Sequence, residues 1–266
     1  MSSINLSGLN VYPIKSAAGL SLNHAQVTMR GLLHDRRWMV CDRNGKFLTQ
    51  RKLPKMALIQ VELSENLLHL NIAGSDNSAI ELSAMPLEPD SMEVDVWGDT
   101  CVAWSMGDNV AQWLHDFLGV ESQLVYMPET TQRPTDHGRF ETPNSFADAY
   151  PFLLISEASL ADLNSRLDQP VPMNRFRPNL VVKGCEPFAE DTWKQIKIGD
   201  IVFDVAKACA RCAVPGVEQS TGEPGKEPLK TLATYRRWDH AIWFGQNLIA
   251  HCEGMLSVGD EVEILA

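Results

Sequence analysis

The sequence predicts a mixed α/β fold that is mainly β, and three observations support this prediction. The first hundred residues consist of short apolar or alternating segments separated by polar turns, which is typical of a barrel-like antiparallel sheet. Two amphipathic segments of helical periodicity follow, and the final third returns to strand patterns. We therefore predict an N-terminal β-barrel-like domain over residues 1–120. A second β-barrel domain with flanking helices is predicted over residues 121–266.

The N-terminal hundred residues supply most of the predicted strands. Residues 38–41 lead into the polar turn 42–45, and residues 47–49 follow as the second strand of a hairpin would. The other segments alternate apolar with polar side chains or end at a proline. Extended segments are predicted at residues 9–14, 38–41, 47–49, 58–63, 67–72 and 92–98.

Two helices are predicted after these strands. The first covers residues 110–118, with Asp108 placed to cap its start and Gly119 placed to end it. The second begins at Ser156, a favourable N-cap residue, and continues to the break at residues 169–170. In both segments we expect the apolar stripe to face the core.

The final third returns to strands and resembles a small β-barrel. The turns at residues 198–200 and 258–260 are alike, and each precedes an apolar strand. Strands are predicted at residues 179–182, 196–198, 201–205 and 262–265.

Composition and charge exclude several functional classes. The chain has 266 residues, a net charge of −11 and a pI near 5.1, which argues against a nucleic-acid polymer as partner. The sequence contains neither an apolar run long enough to cross a bilayer nor a signal peptide, so we expect a cytoplasmic protein without a membrane partner. In that compartment the six cysteines are expected to be mostly reduced thiols.

The strongest local feature is the pair Cys209 and Cys212, which follows an apolar strand. A redox dithiol would sit at the start of a helix, but Pro215 and Gly216 follow and no helical periodicity begins. A zinc site needs further ligands, and the other Cys and His residues form no second close pair. The third alternative is a single thiolate bound to the metal of a cofactor, with Arg211 favouring the thiolate and holding an anionic group.

Basic residues elsewhere could meet an anion. Arg175 and Arg177 are separated by one aromatic residue, so an extended segment would place them on the same face. Lys15 and Ser16 leave a strand together and offer an ammonium and a hydroxyl. Surface salt bridges or a solvated turn explain these features equally well. No histidine pair has metal-ligand spacing, and no phosphate loop, nucleophile elbow or dinucleotide fingerprint is present.

Several of these segments occur together, in the same order, in one family. The chain resembles MOSC-domain proteins with an N-terminal MOSC β-barrel domain, of the YcbX type and the mitochondrial amidoxime-reducing component type. This would make residues 1–120 the N-terminal MOSC-associated β-barrel domain and residues 121–266 the MOSC domain. The motifs that carry the resemblance lie at residues 12–16, 35–38, 151–159, 176–179, 189–193, 209–212, 221–222 and 244–246.

The resemblance implies a molybdenum cofactor, in which a molybdopterin carries the metal and one protein cysteine completes the ligand set. By the match of motifs that cysteine is Cys212, the metal ligand and catalytic residue, and Cys209 is a structural neighbour. Cofactor-binding positions match Lys15, Ser16, Arg36, Asp148, Arg177 and Arg211.

Two short departures from the family pattern accompany the match. Ala149 and Tyr150 stand where relatives often carry Thr-Ser, and Ala210 stands where some have Ser. The first departure is expected to remove or replace two hydroxyl donors to the cofactor.

The resemblance also implies an oxidoreductase that reduces N-hydroxylated compounds, namely amidoximes, hydroxylamines and N-hydroxylated nucleobases. Electrons are expected from a separate flavin reductase or ferredoxin-like protein, because no iron–sulfur cluster is expected in this chain. The alternative is a non-catalytic molybdenum-cofactor carrier or sulfur-handling MOSC protein.

Overall fold

The computed structural model describes residues 3–64, 66–75, 79–86, 90–135 and 142–266. Most of the regular structure is β, and short helices lie between and beside the strands. The predicted class, mainly β with flanking helices, is therefore confirmed. No helix among the described residues is long and apolar enough to cross a membrane. The division near residue 120 stays a prediction.

Strands alternate with a few short helices along the chain. The strands are β1 (Asn5–Val11), β2 (Leu20–Leu22), β3 (His24–Thr28), β4 (Gly31–Leu32), β5 (Trp38–Cys41), β6 (Ile59–Ser64), β7 (Leu67–Ile72), β8 (Ile80–Ser83), β9 (Ser91–Val96), β10 (Asp99–Ser105), β11 (Gln123–Tyr126), β12 (Phe152–Ser156), β13 (Leu180–Lys183), β14 (Gln195–Ile198), β15 (Ile201–Ala210), β16 (Arg237–Trp238), β17 (Ala241–Ala250), β18 (Gly254–Ser257) and β19 (Val262–Ile264). The α-helices are α1 (Asp108–Leu118), α2 (Glu157–Asn164) and α3 (Leu229–Leu232).

The largest sheet joins the two ends of the chain. Its strand order is β19-β14-β15-β17-β12-β13-β1-β2, with β16 paired to β17. The N-terminal strand β1 is antiparallel to β13, where Leu9 lies opposite Leu180. Both side chains belong to a buried apolar cluster that extends through Phe203 and Leu248. Burial of this shared core fixes residues near the N-terminus against the C-terminal half.

The middle of the N-terminal half forms a second packed region. Strands β5, β11, β10 and β9 make one sheet, and β6, β7 and β8 make another. Helix α1 packs its buried face, with Val110 and Leu114, into the cluster that contains Trp38 and Ile59. This apolar stripe therefore faces the core, as its periodicity predicts.

Helix boundaries follow the sequence signals only in part. Gly119 ends α1 with a left-handed φ of 74°, as predicted, but Asp108 is not its cap because Gly107 holds that position. Ser156 caps α2 and accepts a hydrogen bond from the Ser159 backbone N–H, which confirms the predicted start. The helix stops at Asn164, earlier than predicted, because the Asn164 side chain bonds both backbone groups of Val171 and closes a loop.

The predicted hairpin after β5 is confirmed in a short form: Phe47 bridges Cys41 in antiparallel register, and the Leu48 backbone N–H donates to the Val40 carbonyl at 2.8 Å. The other edge of β5 pairs with β11.

Strand pairing differs from the local pattern at β17. The sequence pattern does not predict strand β17, although this strand lies between β15 and β12 at the centre of the large sheet. Gly245 interrupts its pattern, since glycine is depleted in strands. Only glycine fits at position 245, because the φ angle is 83° and a Cβ there would lie 2.6 Å from Ile155 Cγ1.

Candidate functional site

One cavity of about 310 Å³ brings together residues from distant parts of the chain. Its walls come from the segments that follow β1 and precede β5, β12 and β13, from the end of β15 and the turn after it, and from single residues of β12 and β17. Every residue that the sequence motifs indicate for cofactor or metal binding lines this cavity. These residues are Lys15, Ser16, Arg36, Asp148, Arg177, Arg211 and Cys212.

Cys212 lies in a turn that leaves strand β15. The strand ends at Ala210, and the next backbone N–H, that of Arg211, donates to the Ile242 carbonyl at 2.7 Å. A single 3-10 turn, Val214–Gly216, follows instead of an α-helix. This agrees with the lack of helical periodicity in the sequence. The turn leaves the half-buried Cys212 side chain on the wall of the cavity.

Arg211 contacts the first cysteine of the pair. Its Nη1 donates to Cys209 Sγ at 3.1 Å, and its Nη2 donates to the Phe176 carbonyl at 2.8 Å. Its buried Nε has no hydrogen-bond partner among the described residues. The motif match makes Cys209 a structural neighbour, yet Cys209 also lines the cavity. Arg211 is therefore oriented by two contacts and retains one buried donor.

Two guanidinium groups flank the ring of Tyr12. The Cζ atoms of Arg177 and Arg36 lie 4.2 and 4.6 Å from the ring centroid, which is cation–π geometry. Burial raises the pKa of Tyr12 to about 12, so the phenol stays neutral. Burial also lowers the pKa of Arg177 to about 10, which still leaves a full positive charge at neutral pH.

Arg177 is held at one end and unpartnered at the other. Its Nη1 donates to the Ala17 carbonyl at 2.5 Å, while its buried Nη2 has no hydrogen-bond partner among the described residues. The expectation that Arg175 shares its face is wrong, because Met173–Arg175 is a 3-10 helix rather than an extended segment. Arg175 instead donates to the Pro215 carbonyl and pairs with Glu218.

Lys15 and Asp148 form an ion pair at the edge of the cavity. The Lys15 ammonium is buried and also donates to the Phe146 carbonyl at 2.7 Å. Partial desolvation at the cavity edge raises the pKa of the Asp148 carboxyl, but the Lys15 charge and hydrogen bond outweigh this effect and hold that pKa well below its usual range. Trp97 adds a second donor to the same carboxylate, with Nε1 at 3.1 Å. Asp148 therefore fixes a buried cation beside the cavity.

Three of the cavity residues have left-handed backbone conformations. The φ angles are 67° at Ser16, 49° at Arg36 and 56° at Arg177. Such conformations cost a non-glycine residue roughly 1–2 kcal/mol and persist where surrounding contacts impose them. Arg36 shows such contacts, because it pairs with the buried Asp35 and donates to Asn179. Five other described residues outside glycine also have positive φ, so this strain is not confined to the cavity, but part of it falls on residues that shape it.

Two known domain families match the chain. Residues 3–121 match the MOSC N-terminal beta barrel domain, and residues 141–263 match the MOSC domain. The chain belongs to the MOSC domain family. This confirms the resemblance drawn from the sequence motifs.

Relatives cover nearly the whole MOSC chain. Mitochondrial amidoxime-reducing component 1 of Mus musculus is 36% identical, over 96% of this chain and 80% of that protein. Molybdenum cofactor sulfurase of Oryza sativa subsp. japonica is 35% identical, over 92% of this chain but only 32% of that protein. Among solved structures, the YUAD protein of Bacillus subtilis covers 98% of this chain and 97% of its own, with 11% identity and a TM-score of 0.46.

The cavity draws on both matched MOSC regions. Lys15, Ser16 and Arg36 come from the N-terminal match, whereas Asp148, Arg177, Arg211 and Cys212 come from the MOSC domain match. The site is complete only when the two regions pack together.

Sequence reasoning missed other residues of this MOSC cavity. Lys207 and Asn247 line it, and Trp97 reaches it through Asp148. The sequence could have indicated Lys207, because side chains alternate with a period of two along a strand and Lys207 precedes Cys209 by two residues. Asn247 and Trp97 had none, since their approach depends on partners far away in the sequence.

Proposed function

We propose that this MOSC protein binds a molybdenum cofactor in the cavity, with Cys212 as the metal ligand, and reduces N-hydroxylated compounds. One observation carries the proposal: the Cys212 thiol and the cationic side chains Lys15, Arg36, Arg177 and Arg211 line the same cavity. A thiol suits a soft or high-valent metal, and guanidinium groups suit phosphate and planar heterocycle edges. The relatives named as amidoxime-reducing components support the proposed reaction.

The donor set fits an anionic cofactor. Asp148 is the acidic side chain among the lining residues, and it is already paired with Lys15. Arg36 is paired with Asp35, whereas neither Arg177 nor Arg211 forms an ion pair with a carboxylate of the described residues. Each also has a buried nitrogen without a hydrogen-bond partner among those residues. Such donors are costly to bury unless a ligand accepts from them.

The side chains would divide the work as follows. Arg177 and Arg211 would hold the phosphate and pterin edges through their unpartnered nitrogens, and Ser16 would add a hydroxyl. Lys15, fixed by Asp148, would keep positive charge at the buried edge. Cys212 would complete the metal's ligand set. When bound, the molybdenum centre would supply the two-electron chemistry, with the protein providing orientation and electrostatics.

The net reaction requires an outside source of electrons. An N–OH substrate takes up two electrons and two protons, the N–O bond breaks, and the products are the N–H compound and water. We propose a separate flavin reductase or ferredoxin-like protein as the electron donor. Location in the cytoplasm stays a prediction.

A molybdenum measurement tests the ligand assignment. The protein is purified from cells that make the cofactor, and metal per chain is determined for the wild type, Cys212→Ala, Cys209→Ala and the exposed control Cys252→Ala. We expect full loading in the wild type and both other variants, but none in Cys212→Ala. Equal loading of Cys212→Ala and the wild type would refute the assignment.

The alternative is a carrier or sulfur-handling protein that holds the same cofactor without turnover. The similarity to a molybdenum cofactor sulfurase over 92% of this chain supports the carrier as a second candidate function. Loaded protein is therefore supplied with reduced methyl viologen and a simple aromatic amidoxime. Formation of the amidine would show that the protein is a reductase. Cofactor-loaded protein that forms no amidine would instead support the carrier.

A further inference from the structure

A row of four residues crosses adjacent strands at the wall of the cavity. Asn247 of β17 lies opposite Lys207 of β15 on one side and opposite Leu153 of β12 on the other. The Asn179 backbone N–H, just before β13, donates to the Leu153 carbonyl at 2.9 Å. All four residues line the cavity. The row therefore runs from the buried Asn179 to the exposed Lys207.

Lys207 differs from the other cations of the cavity. Lys15 and Arg36 are paired with carboxylates, and Arg177 and Arg211 donate to backbone carbonyls. Within the described part of the chain, the Lys207 ammonium has neither an ion-pair partner nor a hydrogen bond. Its charge is available to a ligand.

Depth separates Lys207 from the cations assigned to the cofactor. Lys15 and Arg177 are 4% and 8% exposed, whereas Lys207 is exposed to solvent. A substrate must enter from the solvent side, after the cofactor has filled the buried end. Lys207 is therefore placed to meet the substrate.

We propose that Lys207 and Asn247 form a subsite at the cavity entrance that binds an anionic group, a carboxylate or a phosphate, on the N-hydroxylated substrate. The ammonium supplies charge, and the Asn247 amide supplies a neutral donor beside it. Among the described residues, the half-buried Asn247 side chain otherwise makes only one long hydrogen bond, from its Nδ2 to the Ala208 carbonyl at 3.5 Å. The preferred substrates are thus acidic N-hydroxylated compounds, and this inference rests on the proposed function.

Matched substrates test the subsite. Benzamidoxime is compared with 4-carboxybenzamidoxime, and N6-hydroxyadenosine with its 5′-monophosphate, so that the two arms distinguish carboxylate from phosphate. In Lys207→Met, kcat/KM for the preferred anionic compound falls about tenfold through a higher KM, because a charge-assisted hydrogen bond is lost. The neutral partner compound keeps its wild-type value. Lys194→Met, an exposed lysine outside the cavity, serves as the control.

Two further measurements distinguish an incorrect subsite assignment from an incorrect proposed function. Calorimetric binding of the anionic compounds to loaded protein needs no turnover, and we expect Lys207→Met to weaken it about tenfold. Molybdenum per chain should be unchanged in Lys207→Met. Loss of molybdenum would make Lys207 a cofactor residue and overturn the subsite. Equal losses for neutral and anionic compounds, or none for either anionic compound, would also overturn it.

Discussion

Arg211 Nη1 lies 3.1 Å from the sulfur of Cys209, so the guanidinium contacts the first cysteine of the pair. Within the described residues, no hydrogen bond reaches the sulfur of Cys212. Because Arg211 contacts Cys209, the Cys212 thiol remains available to bind a ligand in the cavity. The two cysteines have different surroundings although only two residues separate them.

Thiol labelling should distinguish the cysteines. In cofactor-free protein we expect iodoacetamide to modify Cys252, which is exposed, and Cys212, which is half-buried and lines the cavity, and to leave the buried Cys41 unmodified. Burial raises the pKa of Cys41 to about 12, and the thiolate is the reactive form. Bound cofactor should protect Cys212 but not Cys252. Peptide mass spectrometry gives the result, and equal labelling of Cys212 with and without cofactor would contradict its place in the site.

Arg177→Lys should empty the site while preserving the charge. A lysine lacks the planar fork that bonds the Ala17 carbonyl and stacks on Tyr12. We expect molybdenum content to fall at least about tenfold and the free energy of unfolding to fall by about 1–2 kcal/mol. Arg43→Lys, in the exposed pair with Glu121, is the control and should change neither measurement. Full molybdenum loading of Arg177→Lys would rule out this role for the fork.

Asp148→Asn should destabilise the protein by about 1–2 kcal/mol, less than for a fully buried pair because Asp148 is 60% exposed. The buried Lys15 ammonium would keep only the Phe146 carbonyl as a partner. The folded-state pKa of Asp148 is depressed, so its stabilisation is present above the unfolded-state pKa and is lost as the pH falls through the folded-state pKa. Urea unfolding of the variant and wild type should differ at neutral pH and converge in acid. A difference independent of pH would contradict the ion-pair origin.

Gly245→Ala should be more destabilising than Gly98→Ala, although both positions have positive φ. A Cβ at position 245 would lie 2.6 Å from Ile155 Cγ1 and 2.9 Å from the Leu154 carbonyl oxygen. At position 98 nothing lies within 4 Å, so only the backbone cost of about 1–2 kcal/mol applies. We expect Gly245→Ala to cost about 1–3 kcal/mol more, from overpacking. Urea unfolding measures both, and equal losses would show that β17 is not packed this tightly.

Local signals predicted much of the fold and of the candidate site. Alternation and turn residues indicated the strands. Ser156 and Gly119 marked helix ends, because a capping hydroxyl and a glycine in left-handed conformation both act within a few residues. The same reasoning failed for β17, where Gly245 interrupts the pattern, and for Arg175, whose direction depends on a 3-10 turn. A strand interior to a sheet is defined by its neighbours, and these neighbours are distant in sequence.

The sequence by itself determined the mainly β class, the MOSC motifs and the set of side chains considered for the site. Only the tertiary structure decided that Lys15 meets Asp148, that Arg211 contacts Cys209, and that Lys207 stands across from Asn247. It also imposed left-handed backbone at Ser16 and Arg36. Local propensity disfavours such conformations, so contacts between distant segments must supply the energy that holds them.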